Sequence, residues 1–457
     1  MFPTIKNLKV NFQIIILMIV LSMSQTIISQ KTWTLDDCIA YALEHNLQLN
    51  DFEFNTESSY ETYKQSKRSL LPSIVFKSDY GIRFGRSVDP NDNSISNTEF
   101  FANTYSIEGS IDLFQSFQKL NAIKASRFIH NATQEETLQQ KYLLAFRVMQ
   151  AFYDIQFFKG ALKIANEQEG ISQSNYKLIK KQVELGLMAG ADLYEAESIL
   201  LSDKLGVTQA NNQLVAAKIA LMQEMNIKGL NDILLQDEII NVTQTSETSK
   251  IQSDSVYVEA KKFIPIIKAG ELRVKGAQKQ LAIERGKLYP SLSLFGQYGT
   301  GYFETIVDNA GEVVSFKDQF SDNAFQVVGL SLNIPITDGW SGRSRLKQQK
   351  IAVLRAKNDL ATQEQQLYQT IQDLVQEYYA LHAEYKQTSK NIEVQNLAFD
   401  IAQKRYEKGI INAIELFTAK SLLATAQNQN LQVKLKIDVN QSTLDFYRGL
   451  PVFDIEN

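Results

Sequence analysis

Residues 72–84 read PSIVFKSDYGIRF, and the period of that short segment decides what kind of protein the chain makes. Ile74, Phe76, Tyr80, Ile82 and Phe84 fall on one parity, while Ser73, Lys77, Asp79 and Arg83 fall on the other. Alternation of period two predicts a strand with one apolar and one polar face. Upstream the pattern is helical: Thr34 and Asp37 form a capping-box pair, and helix runs to about Arg68 with a break near Asn46. Downstream, Val88-Asp89-Pro90-Asn91-Asp92-Asn93-Ser94 is loop chemistry. Strand pattern resumes at Phe101, where Tyr105, Ile107, Ile111 and Leu113 alternate with Thr104, Ser106, Glu108, Ser110 and Asp112.

The second half says the same thing again. Leu47 to Pro72 and Pro265 to Pro290 each span 25 positions, and Ser116 to Gly186 and Gly339 to Gly409 each span 70. Only the middle differs, 44 positions from Pro72 to Ser116 against 49 from Pro290 to Gly339, which a surface loop absorbs. Such spacing predicts an internal two-fold repeat. After Pro290, Leu292, Leu294, Tyr298 and Tyr302 share a parity; Val328, Leu330, Leu332 and Ile334 alternate with Gly329, Ser331 and Asn333. A polar loop with Asp308-Asn309-Ala310-Gly311 lies between. Four strands follow, in two hairpins, each of about 11 to 14 residues, longer than the usual globular strand of about 5–6 and suited to tilted membrane crossing.

Each hairpin leads into a proline-free helical stretch of some 70 residues, roughly 100 Å at ~1.5 Å per residue. Gly186 and Gly409 end these stretches as C-terminal caps. In the helix after each, Leu416, Ala419, Leu423, Ala426, Asn430, Val433, Ile437, Asn440, Leu444 and Tyr447 are spaced three and four alternately. The matching residues 223 positions earlier are Leu193, Ala196, Leu200, Asp203, Val207, Ala210, Leu214, Ala217, Leu221 and Glu224. A sustained repeat of this kind predicts coiled-coil packing, and its polar members predict a seam that partly faces something wetter than a dry core.

The chain thus divides into a signal peptide over 1–29, a first repeat over 30–226, an equatorial connector over 227–263 and a second repeat over 264–457. The first repeat holds a helix, a β-hairpin at about 73–114, a long helix at about 117–185 and a return helix at about 190–226. The second holds a helix, a β-hairpin at about 291–336, a long helix at about 340–408 and a return helix at about 413–448. The signal is read from Lys6 and Lys9 before the apolar run Phe12 to Leu21, with Ser29 before the cut. Thr243 to Ser255 gives the connector its Thr/Ser-rich character.

Bulk properties exclude several classes. Net charge is −4, and −6 once the leader with Lys6 and Lys9 is gone, so there is no basic footprint for nucleic acid. Cys38 is the only cysteine; it forms no intrachain disulfide and reads as a small buried residue on the first helix. His45, His130 and His382 lack metal-ligand spacing, and no nucleophile–base or paired-carboxylate arrangement stands out. Gly296-Gln297-Tyr298-Gly299-Thr300-Gly301 sits inside a predicted strand and lacks the order of a nucleotide loop. No enzyme activity, cofactor or metal is expected.

Four strands cannot close a barrel, and left open they expose two edges. Lipid admits only helices and closed barrels, so closure demands several chains. Three copies give twelve strands, within the range of outer-membrane barrels. The polar parity, Lys77, Asp79, Arg83, Glu108 and Asp112, then lines a watery lumen, and the other parity meets outer-membrane lipid.

Pro72-Ser73 and Pro290-Ser291-Leu292 at the helix-to-strand changes, Ser331 to Gly339 (SLNIPITDG) at the strand-to-helix change, and Arg405-Tyr406-Glu407-Lys408-Gly409 before the turn carry a resemblance over essentially the whole mature length. The chain resembles the TolC-like outer-membrane efflux proteins; the first repeat departs from them with Gln182-Val183 where the second has Arg405-Tyr406. The resemblance implies an α+β membrane protein, mostly α: a homotrimer with a 12-stranded outer-membrane β-barrel continued by a long periplasmic α-helical coiled-coil tunnel. It implies an exit duct of a tripartite efflux or type I secretion system, working with a periplasmic adaptor (membrane fusion) protein and an inner-membrane transporter. Gly186, Leu187, Gly190, Gly409, Ile410 and Asn412 would form the periplasmic tips that dock the adaptor; Asp400, with Arg405 and Tyr406, would form a gate. A pore-less envelope coiled coil and a stand-alone porin are the competing readings.

Overall fold

The structure, a computed structural model, describes residues 32–88, 94–229, 232–236 and 251–455. The signal peptide, the middle of the loop after Val88 and much of the Thr/Ser-rich connector lie outside the described residues. In chain order the elements are β1 (Thr32–Trp33), α1 (Leu35–His45), α2 (Leu47–Arg68), β2 (Ser73–Val88), β3 (Ile95–Phe114), α3 (Gln118–Glu184), α4 (Gly190–Glu224) and β4 (Leu234–Leu235). They continue with α5 (Ser253–Phe263), α6 (Pro265–Gly286), β5 (Ser291–Phe303), α7 (Phe316–Asp322), β6 (Phe325–Asn333), α8 (Ser341–Glu407) and α9 (Ala413–Tyr447). No helix among the described residues is long and apolar enough to cross a membrane.

Local chemistry explains the boundaries. Thr34 and Asp37 make the capping box, Thr34 N donating to Asp37 Oδ2 and Asp37 N to Thr34 Oγ1, both at 3.1 Å. Asn46, with extended backbone, separates α1 from α2. α3 and α8 are each 67 residues long, and α4 and α9 each 35. Both long helices end in the same closure: Gly186 N donates to Val183 O and Leu187 N to Gln182 O, as Gly409 N donates to Tyr406 O and Ile410 N to Arg405 O. Gly186 and Gly409 have φ of +74° and +71°, a left-handed backbone that glycine adopts without steric cost. At the opposite ends, Ser116-Phe117 and Gly339-Trp340 all take positive φ where strand turns into helix.

The residues fall into two compact units, and each draws on both halves of the sequence. Of the described residues, the first holds those within 32–46, 144–236 and 380–439. Leu144, Val148, Met149, Phe152 and Ile155 of α3 are buried there, as are Leu221 and Met225. Leu381 packs with Val433 and Ile437, and Phe399 with Leu416 and Leu423. Cys38 is fully buried in α1.

Of the described residues, the second unit holds those within 47–143, 251–379 and 440–455, and it contains the four-stranded sheet. Strand order is β2-β3-β5-β6, every neighbouring pair antiparallel. The strands are 16, 20, 13 and 9 residues long, not uniformly 11 to 14. β2 and β3 run on past Phe84 and start before Phe101, because the pairing continues to Val88↔Ile95. β6 is short because the β5–β6 connection is not a plain polar loop: it folds into α7. Among the helices of this unit, Arg273 of α6 grips Glu136 of α3 through two nitrogens, at 2.5 and 2.7 Å.

Candidate functional site

The register of the sheet sorts the side chains. Ile74↔Gly109, Phe76↔Ile107, Tyr80↔Asn103 and Ile82↔Phe101 are paired, then Ile107↔Tyr298, Ile111↔Leu294 and Leu294↔Leu330. Paired residues point to the same side of a sheet, so one face carries Ile74, Phe76, Tyr80, Ile82, Ile107, Leu294, Tyr298, Val328, Leu330 and Leu332. Away from the β5–β6 connection that face is bare: Phe76 is 63% exposed, Leu330 64% and Val328 80%. A contiguous apolar surface of this kind, spread over four strands, has no place in water.

The opposite face carries all five expected lumen residues. Lys77 Nζ lies 2.6 Å from Glu108 Oε2, and Lys119 at the start of α3 lies 2.8 Å from Asp112 Oδ2. Asp79 and Arg83 stand exposed on the same side. Exposed pairs of this sort contribute little to stability; their effect is on the field of the surface they line. The outermost strands, β2 and β6, each have one edge with no strand partner among the described residues.

In the other unit, the turns 185–190 and 408–412 present Gly186, Leu187, Gly190, Gly409, Ile410 and Asn412 exposed. Asn412 has a local duty, since its Oδ1 accepts from Glu415 N at 2.9 Å and caps α9. Ala189 N donates to Asp192 Oδ2 at 3.1 Å at the start of α4. The three gate candidates lie on one stretch of α8. Asp400 and Arg405 are exposed on α8. Tyr406 is half-buried against Phe399, Leu416 and Leu423, and burial first, then Asp192 and Glu195, raises its phenol pKa. Its immediate role is packing.

Sequence reasoning missed the most buried charge of this unit. Lys420 of α9 is 2% exposed. Its ammonium donates to Ser172 Oγ of α3 at 2.6 Å and forms an ion pair with Asp203 of α4, which also accepts from Ser172. Desolvation lowers the Lys420 pKa, and Asp203 opposes that shift. Three helices therefore meet at one ion pair, beside a small cavity lined by Asn175, Ile199, Tyr406 and Phe417. The signal was present, because Asp203 interrupts the apolar seam. The expectation that such interruptions face a wetter space is corrected here: they are met by polar partners within the chain. Asn430 Nδ2 donates to Thr388 Oγ1 and Ser389 Oγ, both at 3.0 Å. In the sheet-bearing unit, buried Asn440 donates to Leu374 O and Glu377 Oε2, both at 3.2 Å. Burying a polar group is costly unless it is bonded; the donors of these side chains are bonded, while Asn440 Oδ1 is buried with no partner among the described residues.

Comparison with known proteins places these features. The model of a family described as outer membrane efflux protein matches residues 38–226 and 256–450. The outer membrane protein TolC of Vibrio cholerae is 20% identical over 409 residues, covering 89% of this chain and 83% of that one. The toluene efflux pump outer membrane protein TtgF of Pseudomonas putida is 22% identical over 406 residues, covering 87% and 79%. Among solved structures, the CmeC outer membrane channel of Campylobacter jejuni superposes with a TM-score of 0.75 at 15% identity, over 93% of this chain and 87% of that one.

Proposed function

We propose, for a chain that belongs to the outer membrane efflux protein family, a homotrimeric exit duct whose three sheets close into one barrel of twelve strands. The class itself is that of an outer-membrane efflux channel. One observation carries the finer reading: a four-stranded sheet with a bare apolar face, a charged opposite face and two unpaired edges. Lipid satisfies the first, a water-filled lumen the second, and the edges of identical neighbours the third. Lys77, Asp79, Arg83, Glu108 and Asp112 then border the lumen, with β2 of one copy pairing β6 of the next.

Below the membrane, the paired helices of the two repeats form a coiled-coil tunnel through the periplasm. Its turns at Gly186 to Gly190 and Gly409 to Asn412 dock a periplasmic adaptor, which joins the duct to an inner-membrane transporter. Asp400, on the exposed surface of α8, is the acid whose three copies restrict the tunnel. Transport here is passive; no residue does chemistry on the cargo, and selectivity belongs to the pump.

Conductance across planar bilayers tests the reading. A small, mostly closed conductance supports a gated duct, a large steady one a porin, and none a rod without a pore. The apolar face has its own test. Val328→Arg, placed at mid-height on that face, costs insertion about 2–4 kcal/mol, and assembly of this variant as well as the parent would exclude contact between that face and lipid.

A further inference from the structure

The β5–β6 connection does something the duct does not explain. It lays α7 back onto the apolar face of the sheet, at the end away from the long helices. Thr300 Oγ1 donates to Phe320 O at 2.7 Å, and Asn323 Nδ2 to Gly301 O at 2.8 Å. Gln319, fully buried, donates through Nε2 to Phe303 O at 3.0 Å and to Val314 O at 2.9 Å, and its Oε1 accepts from Phe303 N at 2.9 Å. With every polar atom of Gln319 bonded to backbone, the helix is pinned in place.

Six rings gather where it lands. Phe316 lies 5.7 Å from Tyr302 and 6.5 Å from Tyr105; Phe320 lies 5.7 Å from both Phe316 and Tyr105. Tyr80 and Phe101 extend the cluster at 6.1 Å, and the hydroxyls of Tyr80 and Tyr105 are bonded to each other. Yet the cluster is not a core. Phe316 is 47% exposed and Phe320 40%, while Lys317, Asp318 and Asp322 of the same helix are also exposed. Rings and charges share one short helix, which suits a boundary between an apolar and a wet phase.

The height of the cluster agrees. Tyr302 stands ten residues along β5 from Leu292, about 33 Å at ~3.3 Å per residue, or about 25 Å of height at a strand tilt near 40°, the height of an outer-membrane apolar band. At the opposite end Phe117, Tyr289 and Trp340 are exposed, with the Arg343 guanidinium 4.2 Å over the Trp340 ring. Aromatic residues therefore border the apolar face at both ends.

We infer that α7 and its ring cluster form an interfacial anchor, seated in the headgroup–acyl boundary of the membrane at the loop end of the sheet. This rests on the reading of the apolar face as lipid-facing and goes beyond it, since a connecting loop needs no membrane contact of its own. The occupant is the bilayer boundary, not a neighbouring copy.

Tryptophan reporters read this directly. Full-length Phe316→Trp and Val328→Trp are reconstituted into phosphatidylcholine vesicles brominated near the glycerol or near the chain ends, and quenching beyond that of the parent chain is recorded. Phe316→Trp is expected to be quenched about twofold more by the shallow bromines, as for a residue of an aromatic girdle, and Val328→Trp more by the deep ones. Phe320→Trp replaces the first reporter if that variant fails to assemble. Quenching of Val328→Trp with none at position 316 or 320 overturns the anchor and leaves the barrel standing. Stronger deep than shallow quenching at α7 also overturns it. Absence of quenching at every position removes the lipid-facing reading together with the anchor.

Discussion

Replacing Asp203 with asparagine leaves the shape of the helix junction nearly unchanged and strips Lys420 of its counter-charge. The ammonium keeps Ser172 Oγ and, at 3.5 Å, the Gln168 carbonyl, but neither carries charge. Breaking a buried pair from one side costs about 3–5 kcal/mol. The lysine also has an escape: it can give up its proton. From its ordinary value of 10.5, neutralising it at pH 7 costs about 5 kcal/mol, at 1.36 kcal/mol per unit, so the penalty cannot exceed that. The ceiling falls to about 1.4 kcal/mol one unit below the ordinary value. The sign follows from the lowered pKa: the cost of burying the charge is present below the folded pKa and is relieved as pH rises through it. The destabilisation of Asp203→Asn relative to the parent is therefore expected to shrink from about 3 kcal/mol near neutrality to about 1 kcal/mol in alkaline buffer. Guanidinium unfolding in detergent, followed by circular dichroism at several pH values, measures it. Asp203→Leu with Lys420→Met should lie near the parent, because an apolar pair removes both charges at once. A deficit that stays flat with pH, or one below about 0.5 kcal/mol, a size typical of surface substitutions, would refute the account.

Three further outcomes follow from other parts of the molecule. His130, bonded to Ser59 Oγ at 2.9 Å and 5.1 Å from the Tyr60 ring, has its pKa lowered chiefly by burial. Its contribution to stability is present above the ordinary histidine value of 6.5 and is lost as pH falls through the folded one; acid unfolding of His130→Gln should therefore show a shallower decline. A Cβ at Gly409 meets nothing within 4 Å, so Gly409→Ala should cost only the left-handed backbone penalty of about 1–2 kcal/mol, measurable in the same unfolding assay. Gly409→Asn should be milder still, whereas a bulky or charged residue there should abolish export with the channel still in the membrane; normal export would remove this turn from the docking surface. Asp400→Ala should weaken block of the conductance by multivalent cations, and unchanged block would remove Asp400 from the gate.

What the sequence determined alone is whatever depends on residues close along the chain. The period-two segment at Ser73 to Phe84 is strand, Thr34 and Asp37 cap a helix, and Gly186 and Gly409 end two helices of equal length through identical hydrogen bonds. The seam also announced itself, since Leu416, Leu423, Ala426, Val433, Ile437 and Leu444 of α9 are all buried, although Lys420, Leu435 and Phe446, off that seam, are buried with them. Each is a matter of spacing or of backbone freedom, and both are written locally.

What only the tertiary structure decided is which distant groups meet. Asp203 reads as an interruption in a seam until α9 brings Lys420 to it from 217 positions away. Tyr406 carries no mark in the sequence of its packing partners; the fold sets it against Phe399 and Leu416. The segment after Phe303 reads as a polar loop until Gln319 reaches the strand backbone and sets Phe316 and Phe320 against Tyr105 and Tyr302. Pattern gives a side chain its face, but the phase between two helices, or between a helix and a sheet, comes from packing many contacts at once. No single spacing in the chain records it.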